Sequence, residues 1–233
     1  MTRPVFLLDL GNTLVHYYNL RDFGPILEEC IESVGDYLTK EGGPLVEESL
    51  IAQRVKDERY ESSNHRVRPL QHRLIRIFAP GALPYAEATL EAMCSHFMAP
   101  IFSRAQLYPD TLPFLQELRS MGFRASIVSN TPWGSPGKLW RCELKRHGLD
   151  RWVDHAVFCT DVGWRKPARP IFHRALNLLG AEPDTCLFVG DDPRWDRVGP
   201  ESVGMPCHII ARMGKEDEGP LLELLEEVIR SQR

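Results

Sequence analysis

The chain lacks any long apolar run. The stretch before the first acidic residue, Val5-Phe6-Leu7-Leu8, is four residues long and follows Met1-Thr2-Arg3-Pro4. That is too short for the apolar part of a signal peptide or for a membrane span. No membrane partner is expected, and the expected compartment is the cytoplasm. A positive charge excess is also missing. The formal net charge is -4, so no global field draws the chain to nucleic acid. A small anionic substrate, which needs only a local positive site, remains compatible. Close cysteine pairs are absent too: the six cysteines, Cys30, Cys94, Cys142, Cys159, Cys186 and Cys207, are widely spread. This excludes a zinc site built on close cysteine pairs and argues against a disulfide framework. Internal repeats and low-complexity tracts are missing as well.

What is present is an ordinary globular balance over 233 residues, 43% hydrophobic and 26% charged. Val5–Leu8, Ala125–Val128, Ala156–Phe158, Cys186–Val189 and Cys207–Ile210 are short continuous apolar runs. Such runs suit strands covered on both faces of a parallel sheet. Helical patterns alternate with them over Pro113–Met121, Pro170–Leu179 and Leu221–Ile229, the first two closed by Gly122 and Gly180. The alternation predicts an α/β fold with a doubly wound, mostly parallel sheet.

One stretch breaks the alternation. Between His16 and Arg104 helical spacing dominates, as in Ile26, Cys30, Val34 and Leu38. Leu50–Tyr60, Leu70–Phe78 and Tyr85–Phe97 also read as helices, punctuated by Gly42-Gly43-Pro44 and Pro80-Gly81. The expectation is an inserted α-helical cap domain, residues 16–104, on a Rossmann-like core of residues 1–15 and 105–233. The insert would lie over the carboxyl edge of the sheet.

Ligands of open α/β sheets gather at that edge. The first strand delivers Asp9 there and the second delivers Ser129 and Asn130. Lys166 follows the third, and Asp191, Asp192 and Asp196 follow the fourth. Clustered carboxylates repel and call for a cation, and oxygen ligands suit Mg²⁺. A cation together with an ammonium group neutralises phosphoryl oxygens, and an Asp carboxylate is able to attack phosphorus. Taken singly, each residue has a plainer reading as a turn, a helix cap or a solvated charge.

Four segments, Asp9-Leu10-Gly11-Asn12-Thr13, Ser129-Asn130, Lys166-Pro167 and Gly190-Asp191-Asp192-Pro193-Arg194-Trp195-Asp196, resemble the ordered motifs of the haloacid dehalogenase-like hydrolase superfamily. Tyr108-Pro109-Asp110 and the position of the helical insert fit its capped phosphatases. The resemblance spans essentially the whole chain. It implies Asp9 as nucleophile and metal ligand, and the main-chain carbonyl of Gly11 as a second ligand. It implies Ser129 and the amide of Asn130 as phosphoryl contacts, and Lys166 as their cationic partner. Asp191 is implied as a direct Mg²⁺ ligand, and Asp196 as the group that orients Lys166 or holds a metal-bound water. The implied activity is Mg²⁺-dependent hydrolysis of a small phosphorylated metabolite through an aspartyl-phosphate.

One position departs from the pattern. Most phosphatases of the superfamily carry an acid–base Asp two residues after the nucleophile, where this chain has Gly11. Acid–base assistance is worth roughly 10²- to 10⁴-fold, which matters most for alkyl phosphates and least for acyl or sugar 1-phosphates. Three accounts follow: a phosphatase with its acid elsewhere, a phosphonatase- or dehalogenase-type hydrolase, or a low-activity binding relative. His16 is a candidate donor or a plain hinge histidine. Lys40 and Lys56 are the insert's lysines available for imine chemistry. Trp133 and Trp140 would wall the pocket or pack in the core. Arg66, Arg68, Arg73 and Arg76 would grip an anion or form a solvated basic face.

Overall fold

The computed structural model describes residues 5–42, 47–79, 85–212 and 219–231, and among these seven strands and eleven α-helices follow one another. Strand β1 (Val5–Leu8) leads to β2 (Val15–His16), then to helices α1 (Phe23–Lys40), α2 (Glu48–Glu58), α3 (Leu70–Phe78) and α4 (Glu87–Phe102). After them come β3 (Gln106–Leu107), α5 (Thr111–Ser120), β4 (Arg124–Ser129), α6 (Gly137–Arg146), β5 (His155–Phe158) and α7 (Cys159–Val162). The chain continues through α8 (Arg169–Leu179), β6 (Cys186–Gly190), α9 (Pro193–Asp196), α10 (Val198–Ser202), β7 (Cys207–Ile209) and α11 (Pro220–Ser231). The main sheet runs β5-β4-β1-β6-β7 with every pairing parallel.

The order follows from the sequence of β1. Successive side chains of a strand point to opposite faces, and both faces here are covered. Phe6 and Leu8 enter the larger core, where Phe6 meets Phe114 at 6.0 Å and Phe123 at 5.5 Å, both edge-on. Val5 and Leu7 enter the second core, with Val128, Phe172 and Phe188. A strand buried on both sides reads as an unbroken apolar run and belongs in the middle of the sheet. Register then aligns the carboxyl ends: Leu8 is level with Ile127 and with Val189. The N–H of Asp9 still donates to Val189 O at 2.9 Å, so Asp9 stands where β1 leaves the sheet.

All five runs of the main sheet and the long helices lie where periodicity puts them, with ends shifted by a few residues. The exception at a helix end is α4, which continues to Phe102 rather than stopping at Phe97. Pro100 forfeits one helical hydrogen bond close to the end, while buried Met98 and Ile101 keep the last turn packed. Gly43-Pro44 and Pro80-Gly81 lie outside the described residues. Helix α6 and the two-residue pairing of β2 with β3 have no counterpart in the sequence reading.

Helices α1 to α4 all fall between β2 and β3, and they touch the sheet-bearing part through specific contacts. Trp133 stacks on Phe97 of α4 at 5.5 Å, and the buried Arg73 guanidinium of α3 lies 5.1 Å from the same indole. Next to it, Gly134 (φ +66°) comes so close to Arg68 that an added Cβ would sit 2.2 Å from that residue's carbonyl oxygen. Residues 65–67 also pair with 163–165. Val67 N–H donates to Gly163 O at 3.0 Å, and Arg165 N–H donates to His65 O at 2.9 Å. Arg66 stacks on Trp164 at 3.9 Å.

Truncating Phe6 to Ala leaves a void facing two rings. The expected loss is about 3–5 kcal/mol of unfolding free energy. It is measured as a lower urea midpoint at unchanged slope.

Candidate active site

Four chain segments separated by up to 187 positions meet at the carboxyl edge. The centre is the Lys166 ammonium, which is buried and lies 2.7 Å from Asp9 Oδ1 and 2.7 Å from Asp196 Oδ1. Its main chain is held by Asn130, whose Oδ1 accepts from Lys166 N–H at 2.8 Å and whose Nδ2 donates to Lys166 O at 3.2 Å. The side-chain amide of Asn130 therefore positions the lysine segment. Ser129 closes β4 and lines the same cavity, with its hydroxyl 3.1 Å from Asn130 O.

Asp196 is buried, and each of its oxygens has a partner. Oδ2 accepts the main-chain N–H groups of Asp191 and Asp192, both at 3.1 Å. This geometry requires Gly190, since a Cβ there would fall 2.3 Å from Asp196 Oδ2. Asp192 is a different kind of acid. It caps α9 by accepting from Arg194 N–H at 3.0 Å, and the Arg194 guanidinium neutralises it. Asp191, just beyond β6, receives among the described residues only the long 3.5 Å contact of the Thr13 hydroxyl on its Oδ1.

Electrostatics follow from this arrangement. Oxygens of Asp9, Asp191 and Asp196 lie within 4.8 Å of one another. At an effective dielectric of about 20, two ionised carboxylates at that separation repel by on the order of 3 kcal/mol. One ammonium faces the three acids. Burial, then Asp9 and Asp196, push the Asp191 carboxyl up to about 7. Burial likewise raises Asp196, against the pull of Lys166. Burial works against the charge of Lys166, yet Asp196 and Asp9 outweigh it and hold the ammonium above its ordinary range. The cluster thus carries more negative charge than its single lysine balances, and its donors are all oxygens. A hard divalent cation fits that donor set.

The cavity above these groups has a volume of about 300 Å³, and Gly11, Tyr17, Tyr18, Trp140, Arg165 and Trp195 help to line it. The sequence assigns no role to Arg165 or Trp195, although Arg165 adjoins Lys166 and Trp195 lies within the fourth motif. Other candidates stand apart. His16 is half-buried in β2, with Nδ1 3.4 Å from the Tyr108 hydroxyl, and lines a neighbouring crevice instead. Lys40 and Lys56 do not line the cavity. Trp140 forms part of its wall, while Trp133 packs against α4. The arginine cluster does not line the site and is solvated only in part, since Arg66 and Arg76 are exposed. Arg68 and Arg76 bind the Glu58 carboxylate, and buried Arg73 donates to Glu58 O and to Glu61.

Comparison with known proteins agrees with this architecture. The family model described as haloacid dehalogenase-like hydrolase matches residues 4–204. A glyceraldehyde 3-phosphate phosphatase of Methanopyrus kandleri is 33% identical over 119 residues, 51% of this chain and 49% of the relative. An (S)-2-haloacid dehalogenase 4A of Burkholderia cepacia is 28% identical over 127 residues, 54% of this chain and 53% of the relative. The chain thus matches about half the length of these curated relatives. The crystal structure of a HAD phosphatase from Thermococcus onnurineus superposes with a TM-score of 0.61, at 26% identity, covering 97% of each chain. With the family match running from β1 past the Asp191–Asp196 segment, this chain belongs to the haloacid dehalogenase-like hydrolases.

Proposed function

We propose that the chain is a Mg²⁺-dependent phosphatase that cleaves a small phosphorylated metabolite through an aspartyl-phosphate on Asp9. The observation that carries this reading is the Lys166 ammonium bridging Asp9 and Asp196 beside a third carboxylate, Asp191. A lone ion pair would need no third acid. A site built to receive a phosphoryl dianion and a cation would need all four groups. Asp9, Asp191 and the carbonyl of Gly11 would hold the cation, and Asp196 would act through the residues that it positions. The bound cation would supply charge neutralisation for the phosphoryl oxygens.

The residues then divide the work. Lys166 fixes one Asp9 oxygen and leaves the carboxylate oriented to attack phosphorus. Ser129 and Asn130, at the end of β4, hold the phosphoryl oxygens, with the main chain of Asn130 serving because its side chain is engaged elsewhere. Water subsequently hydrolyses the aspartyl-phosphate. Helices α1 to α4 form a cap, residues 16–104, on a core of residues 1–15 and 105–233. The cap limits the water that reaches the reacting groups. The name of the Methanopyrus kandleri relative supports phosphate ester chemistry. The phosphonatase reading loses support because neither Lys40 nor Lys56 lines the cavity. A dehalogenase reading gives the acidic cluster no use.

Asp9→Asn should reduce phosphate release from a panel of phosphorylated metabolites with Mg²⁺ to background, with the circular dichroism spectrum unchanged. Retained release in this variant rules out Asp9 as nucleophile. Asp196→Asn replaces one acceptor oxygen by a donor facing N–H groups or the ammonium. Its expected cost is about 10- to 100-fold in activity or Mg²⁺ affinity, measured by a Mg²⁺ titration of the initial rate.

A further inference from the structure

The cavity is short of proton donors, and this bears on which phosphate esters it cleaves. When Asp9 attacks phosphorus, the P–O bond to the leaving group breaks and its electron pair goes to the departing oxygen. An alkoxide is too basic to leave without a proton, whereas a carboxylate or enolate leaves without one. Among the described residues that line the cavity, and leaving aside Asp9 and Asp191, which the phosphatase reading assigns to attack and to the cation, each titratable side chain is paired with an opposite charge, stacked on a ring or buried. Lys166 is held at 2.7 Å by Asp9 and at 2.7 Å by Asp196. The Tyr17 hydroxyl is buried away from solvent and has no hydrogen-bond partner among the described residues. Burial and then the Glu143 carboxylate also hold that phenol well above its ordinary range. Tyr18, stacked on Phe23, is likewise raised by burial. Arg165 is paired with Glu61 at 3.1 Å, and a guanidinium does not give up its proton. His16 lines the adjoining crevice beside Tyr108.

Gly11 shows that this shortage is not imposed by space. It lines the cavity two residues after Asp9, and an added Cβ would meet only Tyr17 Cδ2, at 3.8 Å. A side chain fits there, and the chain has none.

We propose that this site is selective for phosphorylated metabolites whose leaving oxygen is stable as an anion, such as acyl and enol phosphates, and is poor on alkyl phosphates. The inference rests on the phosphatase reading above and narrows its substrate class. Asp9 displaces the leaving group as an oxyanion. Water then cleaves the acyl phosphate left on Asp9, returning the carboxylate and inorganic phosphate, and the proton that water loses passes to the solvent. The preferred ester therefore differs from glyceraldehyde 3-phosphate, the primary alkyl phosphate in the name of the Methanopyrus kandleri relative.

The test is kcat/KM at saturating Mg²⁺ for acetyl phosphate, a series of substituted phenyl phosphates, glycerol 3-phosphate and glyceraldehyde 3-phosphate. The expected result is a steady fall with leaving-group basicity. The alkyl esters should lie about 10²- to 10⁴-fold below acetyl phosphate, the range of acid–base assistance. Gly11→Asp is expected to raise the alkyl esters selectively and to flatten the series. Alkyl and acyl phosphates cleaved within tenfold of each other by the unmodified protein would overturn the inference and leave the phosphatase reading standing. Loss of alkyl ester cleavage in Tyr17→Phe would overturn it too, by identifying the donor. No release from any substrate would sink both readings together.

Discussion

The Lys166 ammonium is the constraint around which the rest of the molecule is arranged. A buried cation is costly unless it is paired and hydrogen-bonded, and two carboxylates at 2.7 Å meet that cost. Each carboxylate comes from a different strand end, so the pairing presupposes the parallel sheet and its register. Its main-chain peptide needs Asn130, from a third strand end. The fold holds these segments together against the repulsion of three neighbouring acids. It does so with an apolar middle strand covered on both faces, as the division of β1 between the two cores shows.

The same arrangement separates roles that composition alone leaves merged. Asp191, Asp192 and Asp196 stand within six positions of one another, yet they serve differently. Asp192 is discharged by Arg194 and ends as a helix cap. Asp196 spends one oxygen on main-chain N–H groups and the other on the lysine. Asp191 keeps the weakest set of partners and the most strained charge. Within the proposed chemistry, that incomplete satisfaction suits the residue assigned to a cation.

Much of this was legible in the sequence, for identifiable reasons. Continuous apolar runs ending in polar residues mark covered strands and their carboxyl ends, so Asp9, Ser129 and Asp191 are placed by local pattern alone. Lys166 needed the resemblance as well, because β5 ends eight residues before it. The main-chain partners of Asp196 were not legible. They depend on a backbone turn that Gly190 permits, and no periodicity encodes that turn. The ion pairs of Arg68 and Arg73 were not legible, because their partners are Glu58 at the end of α2 and main-chain oxygens of the residues after it, which no periodicity brings near α3. His16 sits close to the nucleophile in sequence, but the pairing of β2 with β3 turns it toward Tyr108.

The pairing of residues 65–67 with 163–165 has a mechanical side. The N–H that donates to His65 O belongs to Arg165, the immediate neighbour of Lys166. The ladder therefore ties the helical segment to the main chain one residue before the lysine. A rigid-body swing of α1 to α4 away from the sheet has two ways to proceed. It either breaks that short ladder first or drags the lysine off its carboxylates, so the seating of the helices and the charge state of the crevice form one mechanical unit.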